Sequence, residues 1–161
     1  MIARIEHLKE KKLVGKKIKM CYADNKAFEL WQSFMKQRKE IQNAVTTNLI
    51  SMQLYNGASA PKDFNANTVF EKWAAMEVAD FNTIPKGMET FILTDGLYAV
   101  FEYKGLASKG AEAFRYIFST WLPASDYSLD NRPHFEILGE KYKNEDPNSE
   151  EEIWIPVTSK N

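Results

Sequence analysis

Acidic and aromatic side chains lie close together in the C-terminal segment of the sequence. Three glutamates, residues 150 to 152, precede Ile153-Trp154-Ile155-Pro156-Val157, a segment rich in β-branched residues that predicts a strand. Side chains alternate between the faces of a strand, so Glu152 and Trp154 share one face. An indole face attracts cations, and a nearby carboxylate supplies a full counter-charge. The pair predicts a cation-binding wall; the alternative is a solvated strand end beside an ordinary core tryptophan.

A second segment has a similar composition in the first half of the chain. Trp73, Ala75 and Glu77 share one face of a strand predicted at residues 69 to 79. The two Trp–Glu faces, one in each half of the sequence, favour a pocket between the halves. Chance similarity in composition remains the alternative.

Two amphipathic helices are predicted to position these strands. Apolar residues recur at helical spacing over residues 26 to 42, and again from Ser108 to Pro123, which ends the second helix. Phe118 and Trp121 lie on the inward face of the second helix, where they either cap a cavity or pack in the core.

The same order of elements, strand-helix-strand-strand, occurs twice along the chain. The predicted strands are 13–22, 48–55 and 69–79 in the first half and 97–104, 134–142 and 151–157 in the second. A further strand at 88–93 is expected to form a hairpin with 97–104 through Thr94-Asp95-Gly96. The sequence therefore predicts one α+β domain over residues 1–161, with halves at about 13–80 and 88–158 and a groove where they meet.

Composition excludes several classes of function. The formal net charge of −1 and the pI of about 6.2 lack the basic excess of a nucleic-acid-binding domain. Cys21 is the one cysteine, so the chain offers no intrachain disulfide and no cysteine-based zinc site. No apolar stretch approaches the ~20 residues that cross a bilayer. We therefore expect a cytoplasmic protein that binds no membrane, no nucleic acid, no metal and no cofactor.

Five segments, in order and spacing, resemble the GyrI-like small-molecule-binding family, which includes the effector-binding domains of AraC-type and multidrug-sensing bacterial regulators. The segments are Trp73-Ala74-Ala75-Met76-Glu77-Val78, Gly96-Leu97-Tyr98-Ala99-Val100-Phe101, Trp121-Leu122-Pro123, Pro133-His134-Phe135-Glu136-Ile137 and Glu152-Ile153-Trp154-Ile155-Pro156-Val157. The resemblance covers most of the chain from about residue 13 onward.

The resemblance implies a pseudo-twofold pair of βαββ units with a central, acid-floored ligand cleft for drug-like or cationic amphipathic molecules. By position, Glu152 resembles the family's pocket carboxylate, and Trp154 stands at an aromatic site where many relatives have tyrosine. Glu136 resembles a second acid placed near the first. Two carboxylates close together in an apolar cavity raise at least one pKa. A surface position is the alternative for Glu136.

The remaining candidates for the ligand site are aromatic and acidic residues on the predicted strands and on the second helix. They are Trp73, Glu77, Trp121, Phe118, Tyr55 and Tyr103. For the two tyrosines, the alternative is a bridge between core and water.

Three functions remain open at the level of sequence. The first is a stand-alone binder that senses or sequesters a small molecule, since about a dozen residues precede the first predicted strand. The second, implied by some GyrI-like relatives, is hydrolysis of reactive electrophiles such as cyclopropane-bearing compounds, with Glu152 or Glu136 as general base and Tyr103 or Tyr55 as donor. The third is binding of a protein partner.

Overall fold

Amphipathic periodicity places both helices where the sequence predicts them. In the computed structural model, which describes residues 1–55 and 64–161, α1 spans Ala27–Gln37 and continues as a 3₁₀ turn at Arg38–Glu40. Helix α2 spans Gly110–Tyr116, passes through a π-helical turn at Ile117–Trp121 and ends in the short α3 at Leu122–Ala124.

Nine strands, all paired antiparallel, form the sheet within the described residues. They are β1 (Ala3–Leu8), β2 (Lys11–Met20), β3 (Leu49–Leu54), β4 (Phe70–Val78), β5 (Glu89–Leu93), β6 (Gly96–Lys104), β7 (Tyr127–Leu129), β8 (His134–Leu138) and β9 (Glu150–Ser159). The order across the sheet is β1-β6-β9-β8-β3-β4-β2-β5, and β7 pairs with β9. The protein is therefore an α+β fold, as predicted.

The observed strands differ from the predicted ones in three respects. The hairpin between 88–93 and 97–104 is wrong, because β5 pairs with β2 while β6 pairs with β1 and β9. Strand β1 was not predicted, although its Ala3 and Ile5 alternate with Arg4 and Glu6. Strand β8 ends at Leu138 instead of 142, because a turn follows in which the Tyr142 amide donates to the Gly139 carbonyl at 3.1 Å.

The strand order is symmetric about the pairing of β3 with β8. We call β2, α1, β3 and β4 the first unit, and β6, α2, β8 and β9 the second unit. Strands β3, β4 and β2 lie in sequence on one side of that pairing, and β8, β9 and β6 lie in the matching sequence on the other.

One face of the sheet, which we call the helix face, is covered by both helices. Leu30 and Phe34 of α1 pack on Val14 and Met76 of the first unit. Ala113 and Ile117, from α2 and its π-helical turn, pack in the same way on β6 and β9 of the second unit. The helix face thus carries two separate apolar cores.

The opposite face, which we call the inner face, buries a third core without a helix. Leu8 of β1 and Leu93 of β5 belong to this core, although their strands stand at opposite ends of the strand order. The sheet must therefore curl around its own inner face. Among the helices of the described residues, none combines the length and the hydrophobicity that a membrane span requires.

Candidate ligand-binding site

Polar side chains occupy the middle of the helix face, between the two helix-covered cores. Ser51 pairs with Glu136, and Gln53 pairs with His134, across the junction of β3 and β8. Alternation directs all four to the helix face, because Ile50, Met52 and Phe135 belong to the inner core. We call these four residues the seam. Ser51, Gln53 and His134 are each less than 10 % exposed, at 6, 4 and 8 %.

Lys72 extends the seam onto β4. It pairs with Gln53, and its neighbour Ala74 packs beneath α1 on the same face. With the Gln53 amide oriented to satisfy both neighbours, its Oε1 accepts from Lys72 Nζ at 2.5 Å and its Nε2 donates to Glu136 Oε2 at 3.0 Å. A buried amide thus links a cation on β4 to a carboxylate on β8.

Burial opposes ionisation of the charged groups in this region. It raises the pKa of Glu136, against the charge of Lys72 and the hydrogen bond from Gln53. It lowers the pKa of Lys72, against the charges of Glu136 and Glu151. His134 has its pKa lowered by burial to about 4, so it is neutral at pH 7.

Glu151 supplies a second carboxylate from β9. Burial, and then the charge of Glu136, raise its pKa to about 7, while Lys72 opposes the shift. Glu136 pairs with Ile153, so Glu151 and Glu136 project from the same face of neighbouring strands. Near pH 7 the Glu151 carboxyl is therefore protonated in part of the molecules.

Aromatic rings surround the polar cluster. The Tyr55 ring stands edge-on to His134 at 4.9 Å between centroids, and Phe118 lies 6.1 Å from the same histidine. Phe70 lies 5.2 Å from Tyr55 and 5.3 Å from Tyr22, whose ring is half exposed. Phe118 belongs to the π-helical turn, a distortion that often accompanies functional sites.

Glu152 and Trp154 lie on the other side of the sheet. They share a face, as predicted, but it is the inner face, where Trp154 stacks on Phe135 with centroids 5.2 Å apart and planes at 17°. Glu152 accepts from the Trp154 indole at 3.1 Å and pairs with Arg4 at 2.8 Å. Its side chain is 32 % exposed, so this carboxylate has two protein partners and contact with water.

Trp73 and Glu77 also lie on the inner face. Trp73 is 2 % exposed, and its indole donates to Glu71 Oε1 at 2.7 Å. Glu77 pairs with Lys11 at 3.2 Å. The partner that mirrors Glu152 is therefore Glu71, because each Glu precedes its Trp by two residues and accepts its indole N–H.

Trp121, in the π-helical turn, and Tyr103, on β6, lie away from the seam. Trp121 packs edge-on against Phe101 at 5.0 Å. The Tyr103 hydroxyl donates to the Leu106 carbonyl at 2.7 Å, and its ring lines a surface groove between β6 and α2. Tyr103 pairs with Glu151 across β6 and β9, so one strand pair joins this groove to the polar cluster.

The structure brings together three of the nine predicted residues, Glu136, Tyr55 and Phe118, at the middle of the helix face. The expected pairing of Glu136 with Glu152 is corrected, because the two project from opposite faces; the carboxylate beside Glu136 is Glu151. Prediction also missed the other polar and aromatic members of the cluster. They are Lys72, Gln53, Ser51, His134, Phe70 and Tyr22.

A signal for the missed residues was present in the sequence. Polar residues at alternate positions of β3 and β8 (Ser51 and Gln53, then His134 and Glu136) are flanked by apolar ones. Two neighbouring strands with the same polar alternation predict a polar floor on one face. Within the described residues, no group of three His, Cys, Asp or Glu side chains is placed to hold a metal ion.

A family model for the GyrI-like small-molecule-binding domain matches residues 1–158. The chain belongs to this family. The GyrI-like chain is 29 % identical over 133 residues to the transcriptional regulator BrlR of Pseudomonas aeruginosa. The matched segment covers 80 % of this chain and 45 % of the regulator. It thus spans less than half of that relative's length.

Solved structures of the same fold include SAV2435 bound to tetraphenylphosphonium, with a TM-score of 0.74, 17 % identity, and coverage of 98 % of this chain and 94 % of that one. A hydrolase encoded by lin2189 from Listeria innocua has a TM-score of 0.61 and 12 % identity, with coverage of 97 % and 91 %. At these identities the likeness concerns the fold alone.

Proposed function

We propose that the GyrI-like chain binds a hydrophobic or cationic drug-like molecule in a cleft over the seam, and so senses or sequesters it. The two units would be related by a pseudo-twofold axis through the pairing of β3 with β8, with the cleft between α1 and α2. The observation that carries the proposal is the pair of half-buried carboxylates, Glu136 and Glu151, among the aromatic rings of the helix face.

Both carboxylates are poorly solvated, because each is half-buried. Burial removes the water that would stabilise their negative charge, and a lipophilic cation would stabilise that charge in its place. Aromatic faces attract such a cation further. Tyr55 and Phe118 offer rings on either side of His134. The tetraphenylphosphonium bound by SAV2435 is a molecule of this class, which supports the proposal for this chain.

Calorimetric titration with tetraphenylphosphonium tests the proposal. We expect Glu151→Gln and Glu136→Gln each to weaken binding by about tenfold, as loss of one charge-assisted contact does. Affinity in the wild type should rise with pH through 7 as Glu151 ionises. Glu152→Gln is the matched control, because Glu152 follows Glu151 in the chain but projects from the inner face.

Other outcomes would contradict the placement of the ligand on the helix face. If Glu152→Gln weakens binding while Glu151→Gln does not, the ligand lies on the inner face near Trp154. If the wild type shows no heat of binding at any pH between 6 and 9, lipophilic cations of this size are not ligands.

A second candidate function, hydrolysis of a reactive electrophile, is favoured by Glu151. A carboxylate whose pKa is about 7 can take a proton from water at neutral pH. The Tyr103 hydroxyl, the donor expected from the sequence, is already bonded to the Leu106 carbonyl. Incubation with a cyclopropane-bearing electrophile and mass spectrometry would show the addition of water. Turnover by the wild type that is lost in Glu151→Gln supports this candidate, and unchanged compound opposes it.

A further inference from the structure

Lys72 is not explained by a site that binds simple cations. An ammonium on the floor of such a site cancels part of the attraction of the two carboxylates for a cationic ligand. Lys72 is also half-buried, and burial lowers its pKa, so its charge is held there at a cost in solvation. A cation-only site would be better served by an apolar residue at this position.

The charges of the cluster are separated in space. Lys72 lies on β4 of the first unit, whereas Glu136 and Glu151 lie on β8 and β9 of the second unit. Strand β3 stands between them and contributes Gln53, which donates to Glu136 and accepts from Lys72. Neighbouring strands are roughly 4.8 Å apart, so the backbones of β4 and β8 are about 10 Å apart. The charged ends of Lys72 and Glu136 are closer than that, because the single amide group of Gln53 spans them. The floor therefore has a positive end and a negative end.

Hydrogen-bonding capacity remains at both ends. An ammonium has three N–H donors, and among the described residues Lys72 donates one of them to Gln53 Oε1. Glu136 has the Gln53 amide as its donor. A ligand that lies across the seam can meet an available donor at one end and available acceptors at the other.

We propose that the ligand of this site is bipolar: a zwitterionic amphiphile whose cationic group lies over Glu136 and Glu151 and whose anionic group lies against Lys72. The inference rests on the proposed function and adds the class of ligand. Gln53 holds the two ends apart, and the surrounding rings of Tyr55, Phe70 and Phe118 hold the apolar part.

The test compares two amphiphiles that share one tail. Dodecyltrimethylammonium carries a cation, and dodecyl-dimethylglycine carries the same cation with a carboxylate attached. Both are titrated calorimetrically below their micelle concentrations into the wild type and into Lys72→Met. Lys72→Arg keeps the charge, and Lys19→Met removes an equal charge from an exposed residue of β2 that projects from the inner face.

We expect the wild type to bind the zwitterion about tenfold more tightly than the cation, the effect of one added charge-assisted contact. Lys72→Met should reverse this preference, weakening the zwitterion and strengthening the cation. Lys72→Arg should keep the wild-type preference, and Lys19→Met should change neither affinity. Thermal unfolding followed by circular dichroism verifies that each variant is folded.

Two results would overturn the inference, and they differ in meaning. If both amphiphiles bind the wild type and Lys72→Met changes their affinities by the same factor, the site binds small molecules but Lys72 does not select their charge. If neither amphiphile nor tetraphenylphosphonium binds the wild type, the proposed function fails together with the inference.

Discussion

Carboxylates lie beside aromatic rings on both the inner face and the helix face, but the protein neutralises those on the inner face more completely. On the inner face, Glu71 and Glu152 each accept an indole N–H and pair with a cation, Lys17 at 3.8 Å and Arg4 at 2.8 Å. On the helix face, burial and the charge of Glu136 raise the pKa of Glu151 to about 7. An acid next to a tryptophan therefore indicates a ligand site only where protein partners have not already neutralised it.

The largest effect that separates the two faces should be on stability. Phe135 is fully buried on the inner face and stacks on Trp154, so Phe135→Ala should lower the free energy of unfolding by about 3–5 kcal/mol. Phe118 on the helix face is half-buried, and its replacement by alanine should cost only about 1 kcal/mol. Urea unfolding measures both; a larger loss for Phe118→Ala would contradict the division between a structural and a binding face.

A smaller effect of opposite sign should follow from Glu151→Gln. The folded protein raises the pKa of this acid from 4.5 to about 7, so it holds the proton more tightly than the unfolded chain does. Between those values the wild type loses stability as pH rises. Glutamine carries no such proton, and the variant should be more stable than the wild type by about 2 kcal/mol at pH 8 after allowance for solvent screening, and equal at pH 4.

Glu152→Gln serves as the comparison for that pH series. Its carboxylate is paired with Arg4, so its loss should not stabilise the protein at any pH. Unfolding in urea at unit steps from pH 4 to pH 8 gives both curves. If Glu152→Gln stabilises the protein, or if Glu151→Gln does not, the assignment of the destabilising carboxylate to Glu151 on the helix face is wrong.

The smallest effect is expected from Arg4→Met. Arg4 is partly exposed and pairs with Glu6, Glu102 and Glu152, and pairs of this kind contribute less than about 1 kcal/mol. We expect a small fall in thermal stability and an unchanged affinity for tetraphenylphosphonium. A marked loss of affinity would show that the inner face takes part in binding.

The elements of the fold were largely predictable, because they depend on local periodicity. Apolar spacing placed α1 and most strands within a few residues of their observed bounds. The pairing of the strands was harder to predict than their positions. Two residues join β5 to β6, yet β5 lies at one edge of the sheet and β6 lies next to the other edge, each paired with a strand distant in sequence. Turn chemistry alone cannot anticipate such long-range partners.

The site was predicted only in part because β9 is buried on both faces. Trp154 and Pro156 alternate with Ile153 and Ile155, so apolar content does not say which face meets the helices. With three glutamates in a row, a shift of one residue exchanges an acid on one face for an acid on the other. The resemblance to the family predicts Glu152 as the pocket carboxylate, whereas the carboxylate beside Glu136 is Glu151.

The symmetric strand order has a consequence for the dynamics of the protein. Among the described strands, β3 and β8 are the one hydrogen-bonded pair that joins the two units. A molecule that contacts Lys72 of the first unit and Glu151 of the second would bind only while β3 and β8 are paired. Its binding would therefore raise the free energy needed to separate these two strands. Amide hydrogen exchange at Met52 and Phe135 should therefore slow down upon occupancy, which makes the backbone at the junction a reporter of the bound state.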